Sequence, residues 1–216
     1  MSERRKITAG RRSLDLPGKA LKRRKNDHAK NKDELVEEIR DLRDRVRTLQ
    51  TELLLDDLTG LHNARHLRQC LTKAIETFNA GKEKPALLFI DVDYFKSVNE
   101  KHGHQVGGEL LNQVGRTIAR LIRVDDVAFR YGGDEFVVLV NGGEEGAMGA
   151  GERLRSAIEA TPFKVNGLQG EATVNLTISV GVRIMRAGDT PKTIIDEADR
   201  AMFEAKRRSR NTLVAA

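Results

Sequence analysis

The sequence predicts an α+β domain, a central antiparallel sheet flanked by helices, and three segments carry that prediction. Residues 127–131 and 136–140 are short β-prone runs joined through Gly132-Gly133-Asp134-Glu135, which reads as a hairpin because glycine reaches positive φ without a Cβ penalty. Residues 86–93, Ala-Leu-Leu-Phe-Ile-Asp-Val-Asp, form the continuous apolar run expected of a strand buried on both faces, closed by two acids. Leu110, Leu111, Val114, Ile118, Leu121 and Ile122 recur on one helical face and predict a helix over 107–122 between them. The other elements, in chain order, are a helix over 64–78 before the first strand, a helix over 146–159, a strand over 174–183 and a terminal helix over 191–207. The order strand, helix, hairpin, helix, strand is that of a ferredoxin-like palm.

Two segments precede this domain, which is expected to span 56–216. Residues 1–31 are a basic tail. Its first 25 residues hold ten Lys and Arg against Glu3 and Asp15, so the net charge of +6 belongs to the tail and the remainder is slightly acidic. With few large apolar residues and breakers at Gly10, Pro17 and Gly18, the tail is expected to be disordered. It is suited to nucleic acid, an anionic membrane surface or an acidic partner, or to no specific partner at all. Residues 32–55 carry a heptad: Leu35, Leu42 and Leu49 at d, with Ile39, Val46 and Leu53 at a. β-Branched residues at a with leucine at d favour a parallel two-stranded coil, and Glu38 at g faces Arg43 at e of the partner helix. The competing reading is one amphipathic helix folded back on its own domain.

The lone cysteine, Cys70, excludes an intramolecular disulfide and is expected to be a small core residue. The apolar runs are strand-sized and the first residues lack the stretch a signal peptide requires, so a cytoplasmic protein is expected.

Asp134 and Glu135 fall at the hairpin tip, and Asp91 and Asp93 at the end of the apolar strand. Adjacent acids on a rigid turn repel unless they meet a cation; the alternative is a solvated acidic turn. Carboxylates at a strand end beside an acidic tip suit Mg²⁺, which acts with substrate phosphates, and so suggest nucleotidyl transfer.

The chain resembles the GGDEF family of diguanylate cyclases. The resemblance rests on Asp57-Leu58-Thr59-Gly60-Leu61-His62-Asn63; on Asp91 to Asn99 with His102-Gly103-His104; on Arg130 to Phe136; on Thr177-Ile178-Ser179-Val180-Gly181; and on Ala198-Asp199 with Ala205-Lys206. It covers all but the N-terminal quarter. It implies a nucleotide-cyclase type of palm and the condensation of two GTP into cyclic di-GMP by a homodimer whose half-sites face each other. By position, Asp91, the Val92 carbonyl, Asp134 and Glu135 match metal-binding groups for two Mg²⁺ per site, with Mn²⁺ as a substitute. Glu135 either assists deprotonation of the 3′-hydroxyl or completes metal coordination, and Asp93 is equally suited to a structural role. Lys96 with the Tyr94 and Phe95 amides matches triphosphate contacts. Lys206 and Arg210, four apart on the terminal helix, match a second phosphate-binding pair. Asn99 matches the guanine-reading residue. His102 and His104, with no cysteine nearby, are not read as a zinc site.

Where the family has a guanine-selecting aspartate this chain has Gly108, with Glu109 the neighbouring acid available to compensate. A missing carboxylate weakens selection for the guanine N1–H and N2–H donors. A relaxed-specificity cyclase making cyclic AMP-GMP is therefore an alternative. Glu100, Ala64 and Ser209 are further departures from the pattern. Arg123 and Asp126 form the R-x-x-D that in the family binds the product, cyclic di-GMP, as an inhibitor. A non-catalytic cyclic di-GMP receptor or scaffold is the other alternative, although the hairpin acids such proteins lose are present. If the heptad aligns protomers, Leu42→Pro will make turnover depend more steeply on protein concentration. A variant still dimeric and equally active refutes the coiled coil.

Overall fold

The computed structural model describes residues 31–32, 34–45, 54–81, 84–167 and 170–216, and the chain divides into two units, Met1–Glu52 and Leu53–Ala216. In the first, residues 34–45 form helix α1, on which Leu35, Val36, Ile39 and Leu42 are each about half exposed. The other heptad positions, Val46, Leu49 and Leu53, and the tail up to residue 30 lie outside the described residues.

The second unit runs β1 (His62–Asn63), α2 (Ala64–Asn79), β2 (Pro85–Val92), α3 (Phe95–His102), α4 (His104–Leu121), β3 (Val127–Gly132), β4 (Glu135–Asn141), α5 (Gly143–Ala160), β5 (Pro162–Gly167), β6 (Gly170–Asn175), β7 (Ile178–Ile184), α6 (Pro191–Arg208) and β8 (Leu213–Ala215). Six strands make one sheet in the order β1-β3-β4-β2-β7-β8. Its four inner strands are antiparallel as expected, while β1 joins β3 and β8 joins β7 in parallel, so the whole sheet is mixed.

Strand β2 sits at the centre with every residue buried, because its side chains alternate between two apolar layers. Ala86, Leu88, Ile90 and Val92 pack with Leu110, Val114 and Ile118 of α4 and Leu154 and Ile158 of α5. Leu87 and Phe89 face the other way, against Leu67 and Leu71 of α2 and Ile194, Ala198 and Met202 of α6. Each of these side chains larger than alanine contributes about 1.5–3 kcal/mol on burial. Cys70 is a partly buried member of the second layer.

Helix α6 approaches the sheet where Gly181 removes the obstacle. A Cβ there would lie 2.0 Å from the Ala198 carbonyl oxygen and 2.3 Å from the Met202 nitrogen. The start of α6 is fixed by Thr190, whose hydroxyl accepts from the Thr193 amide, and by buried Arg183, which donates to Asp189 and Glu197.

Four local expectations are revised. The run 174–183 is two strands, because Leu176-Thr177 carries the chain from the separate β5–β6 sheet into the main one. The helix expected from 107 starts at His104, and ahead of it lies α3, entered through a left-handed Tyr94 (φ 58) and ended at Gly103 (φ 86). Strand β8 was not expected. Arg210 is not on the last helix, which ends at Arg208, so the shared face inferred with Lys206 does not exist. Because its Cβ would strike helix backbone, Gly181→Ala is expected to lower the unfolding free energy by about 3 kcal/mol, read by urea denaturation.

Candidate active site

The acidic hairpin is a two-residue turn. Gly132 pairs with Glu135 across a register shift that follows Arg130, and Gly133 takes φ 52. Asp134 therefore sits in the turn, half-buried, and Glu135 opens β4. Two contacts fix the turn. The Val92 amide at the end of β2 donates to the Asp134 carbonyl (3.2 Å), and Arg130 donates to the Gly133 carbonyl through Nε (3.2 Å) and Nη2 (2.9 Å).

Arg130 is held in turn by Asp56, with Nη1 3.2 and 3.1 Å from the two carboxylate oxygens. Asp56 also accepts from the Thr59 amide (2.9 Å) and hydroxyl (2.7 Å). Burial works against its charge, but the Thr59 hydrogen bonds and the Arg130 guanidinium together hold its carboxyl below the ordinary value of 3.8. The sequence motif was read from Asp57, which is exposed; the residue that braces the hairpin is Asp56. The signal for it was its place three before a threonine, the spacing of a side-chain-capped turn.

Asp91, the last acid of β2, is 5% exposed and its Oδ2 lies 2.6 Å from Lys206 Nζ on α6. Its carboxyl is raised from 3.8 to about 6, chiefly by burial. The Lys206 hydrogen bond opposes that rise, and the neighbouring charges of Asp134 and Asp93 add to it. Glu135 is raised too, by burial first and then by Asp91, Asp199 and Asp134. The fold thus brings Asp91, Asp134 and Glu135 together. Asp199, seven residues before Lys206 and so on its side of α6, joins their electrostatic neighbourhood.

Asp93 is occupied otherwise. It is 3% exposed and accepts from Thr177 Oγ1 (2.7 Å), Ser179 Oγ (2.7 Å) and the Asn211 amide (3.0 Å), which is the structural role.

These residues fit a hard divalent cation. Asp91, Asp134, Glu135 and the Val92 carbonyl offer oxygen alone, and Asp91 is a buried carboxylate whose charge Lys206 only partly supports. Among the described residues no three acid, histidine or cysteine side chains converge to hold a metal unaided.

Beside the acids lies a cavity of about 580 Å³ lined by Leu58, Phe95, Lys96, Asn99, Glu100, His104, Gly107, Gly108, Leu111, Arg130, Gly133 and Asp134. Asn99 is set against Gly107, where a Cβ would fall 1.9 Å from its Oδ1. Gly108 leaves ordinary van der Waals room toward Leu58. Glu109 cannot stand in for an acid at 108, because it lines a different groove with Asn112, Gln113 and Arg116. Glu100 does line the cavity, 3.8 Å from exposed Lys96. The first-turn amides of α3 have no intrahelical acceptors and remain available to an anion. Arg210 lies over the Tyr94 ring, 4.5 Å from its centroid.

Arg123 and Asp126 stand at the other end of the β3–β4 hairpin, about 20 Å from its tip at 3.3 Å per residue. Asp126 is buried and accepts from the Arg123 amide (3.0 Å), while Arg123 is exposed. Both line a second cavity of about 430 Å³ with Ala74, Pro85, Asp125 and Asn141.

A six-stranded mixed sheet flanked by helices, with strand-end and hairpin acids beside a cavity of about 580 Å³, defines a palm-like domain, and the comparisons with known proteins agree. The sequence model of the family described as "Diguanylate cyclase, GGDEF domain" matches residues 53–212. The chain belongs to that family. It is 36% identical over 161 residues to the response regulator PleD of Caulobacter vibrioides, covering 74% of this chain and 35% of that protein. It is 37% identical over 161 residues to the diguanylate cyclase DosC of Escherichia coli K12, covering 74% and 34%. The chain spans about a third of the length of these curated relatives. The coiled coil and GGDEF domain of DgcB from Caulobacter crescentus, solved in complex with c-di-GMP, superposes with a TM-score of 0.77 at 25% identity, over 91% of this chain and 100% of that one.

Because Asp56 is held ionised below 3.8, its stabilising effect is complete above that value and lost as pH falls through the lower folded-state value. In urea denaturation, the stability gap between the wild type and Asp56→Asn should be constant at neutral pH and shrink only below 3.8. A gap that does not change with pH would show that the ionised carboxylate is not what braces the hairpin.

Proposed function

We propose that this chain is a diguanylate cyclase that condenses two GTP into cyclic di-GMP with release of two pyrophosphates, acting as a homodimer. The observation that carries the reading is the meeting of Asp91, Asp134, Glu135 and Lys206 beside the cavity that holds Asn99. In each half-reaction the 3′-hydroxyl oxygen of one GTP bonds to the α-phosphorus of the other while the bond to the β-phosphate oxygen breaks. One site holds one nucleotide, so a second protomer must present the other. The half-exposed apolar seam of α1 is the surface suited to pairing them.

Asp91, Asp134, Glu135 and the Val92 carbonyl would hold Mg²⁺, two per site, or Mn²⁺. Bound there, the cations would neutralise charge on the attacked phosphate and the departing pyrophosphate. Glu135, its carboxyl raised by burial and neighbouring acids, is suited to receive the 3′-hydroxyl proton. Lys96, the Tyr94 and Phe95 amides, Lys206 and Arg210 grip the triphosphate. Lys206 would exchange its contact with Asp91 for a phosphate oxygen once cations neutralise that carboxylate.

Guanine is read by Asn99, and the placement of Glu100 on the cavity wall favours Glu100 as the acceptor for its N1–H and N2–H donors. The missing carboxylate at Gly108 supports the second reading, in which adenine is also admitted and cyclic AMP-GMP is formed. Arg123 and Asp126 are suited to bind cyclic di-GMP and inhibit, one by gripping phosphate or guanine and the other by accepting from the base. Product bound there must favour a conformation that pairs two loaded sites less well. The basic tail suits an acidic partner, a nucleic acid or an anionic membrane. No helix among the described residues is long and apolar enough to cross a membrane.

Incubating the protein and Mg²⁺ with GTP, ATP and their mixture should yield cyclic di-GMP alone by mass spectrometry. Appreciable cyclic AMP-GMP would establish relaxed specificity. Asp134→Ala should lose about 4 kcal/mol of transition-state stabilisation, roughly a thousand-fold in rate. A cellular phenotype unchanged by that loss would instead support the receptor reading.

A further inference from the structure

Three non-glycine residues among those described have a positive φ: Tyr94 (58), Arg210 (54) and Asn211 (45). Left-handed backbone disfavours a residue with a Cβ, and such residues gather where the surrounding structure enforces them. All three meet at one place. The Arg210 guanidinium stacks on Tyr94, with Nη1 3.3 Å from its hydroxyl. The Asn211 amide donates to Asp93, the residue before Tyr94 (3.0 Å).

What enforces the bend lies on α5. Arg155, largely buried, directs every donor it has at an acceptor. Nε and Nη2 fork onto Glu152 (2.9 and 2.6 Å) and Nη2 also reaches Ser156 (3.0 Å). Nη1 donates to Glu159 (2.7 Å) and to Asn211 Oδ1 (2.8 Å). Asn211 returns its Nδ2 to Glu159 (2.6 Å). An arginine with five donors engaged is fixed in place, and its carboxylate partners respond accordingly. Glu152 is pulled down to about 2 by the Arg155 hydrogen bond. The Asn211 side chain is thus anchored by α5 and its amide by the strand-end acid Asp93, which limits the directions open to the residue before it. Arg210 then has Tyr94 as its support, at the rim where α3 begins.

We propose that Arg155, acting through Asn211, is a positioning residue that presets the Arg210 guanidinium for the nucleotide triphosphate, with the Tyr94 ring as its rest. This rests on the cyclase reading, since it takes Arg210 as a phosphate ligand. The guanidinium is stationed before substrate arrives, so little conformational freedom is lost when phosphate replaces the Tyr94 hydroxyl. Neither Arg155 nor Asn211 touches the nucleotide in this scheme.

The test is a double-mutant cycle read by calorimetric titration with a GTP analogue that has a non-transferable α–β bridge, in Mg²⁺. Asn211→Gly permits the left-handed bend without strain and removes the side chain that Arg155 and Glu159 hold. It is expected to fold with an unchanged thermal midpoint and to bind about ten-fold more weakly. Arg210→Ala should lose at least as much, and the double variant no more than Arg210→Ala alone. Arg155→Met, whose abandoned carboxylates are half exposed and can rehydrate, supplies the same cycle should the glycine variant misfold. Additive losses in the double variant, or equal binding by the wild type and Asn211→Gly, would overturn the proposal while leaving the cyclase reading in place. A wild type that does not bind the analogue would overturn both.

Discussion

The site depends on one guanidinium. Arg130 donates from Nη1 to both carboxylate oxygens of Asp56 on one side and directs Nε and Nη2 at the Gly133 carbonyl on the other. It therefore ties the loop before β1 to a turn whose backbone is left-handed at Gly133. The pair is largely shielded, with side-chain exposures of 16% and 21%, and Asp56 has further hydrogen bonds from Thr59 to compensate its burial. That combination separates it from exposed ion pairs, which contribute little. Once the turn is fixed, Asp134 and Glu135 have no freedom to move apart from the end of β2, because the Val92 amide holds the Asp134 carbonyl from the other side. The loop itself is seated on α4, where Asn112 donates to the Leu58 carbonyl (2.6 Å) and Gly115 lets Thr59 approach.

Like charges are thereby held together in a partly desolvated place, and the fold answers them unevenly. Asp93 is satisfied by three donors and stays a structural acid. Asp91 has Lys206 alone as a hydrogen-bond partner among the described residues, and its burial raises its carboxyl despite that contact. Two acids of one strand end, two residues apart, acquire opposite characters from what β7, α6 and the C-terminal segment bring to them. The arrangement leaves a deficit of positive charge that divalent cations are suited to fill.

How much of this was legible in the sequence follows from whether a feature was local. The buried central strand and the hairpin declared themselves, since an unbroken apolar run and a glycine pair between β-prone runs have few other outcomes. The long helices did too. Helix α3 did not, because eight residues, six of them polar or charged, carry no clear amphipathic period. Residues 174–183 read as one strand because Val, Leu, Thr and Ile have the same propensity whichever sheet they join. Asp91, Asp134, Glu135 and Asn99 were named as individual residues, and the fold gathers them around one region. What escaped was pairing at a distance: Asp56 with Arg130, Lys206 with Asp91, and Asn211 with both Asp93 and Arg155. Arg210 was paired with Lys206 for a geometrically wrong reason, since a four-residue spacing implies a shared face only while the helix lasts, and α6 stops two residues short. Glu109 is the reverse case, a plausible neighbour that the helix turns toward another groove.

The central place of β2 also governs how the chain reaches this state. Its ladders are made with β4 and β7, both far along the sequence, and the last edge strand, β8, comes almost at the end. Few of these pairings are local, so closure entropy must be met before the sheet gains its contacts, and folding should be slow for a domain of this size. During that interval Pro85–Val92 is a bare, uncharged, β-prone segment until its final two residues, the kind that self-associates when unpaired. Asp91 thus has a second effect before any chemistry begins: its charge interrupts the run at the end where a neighbouring chain could otherwise add on.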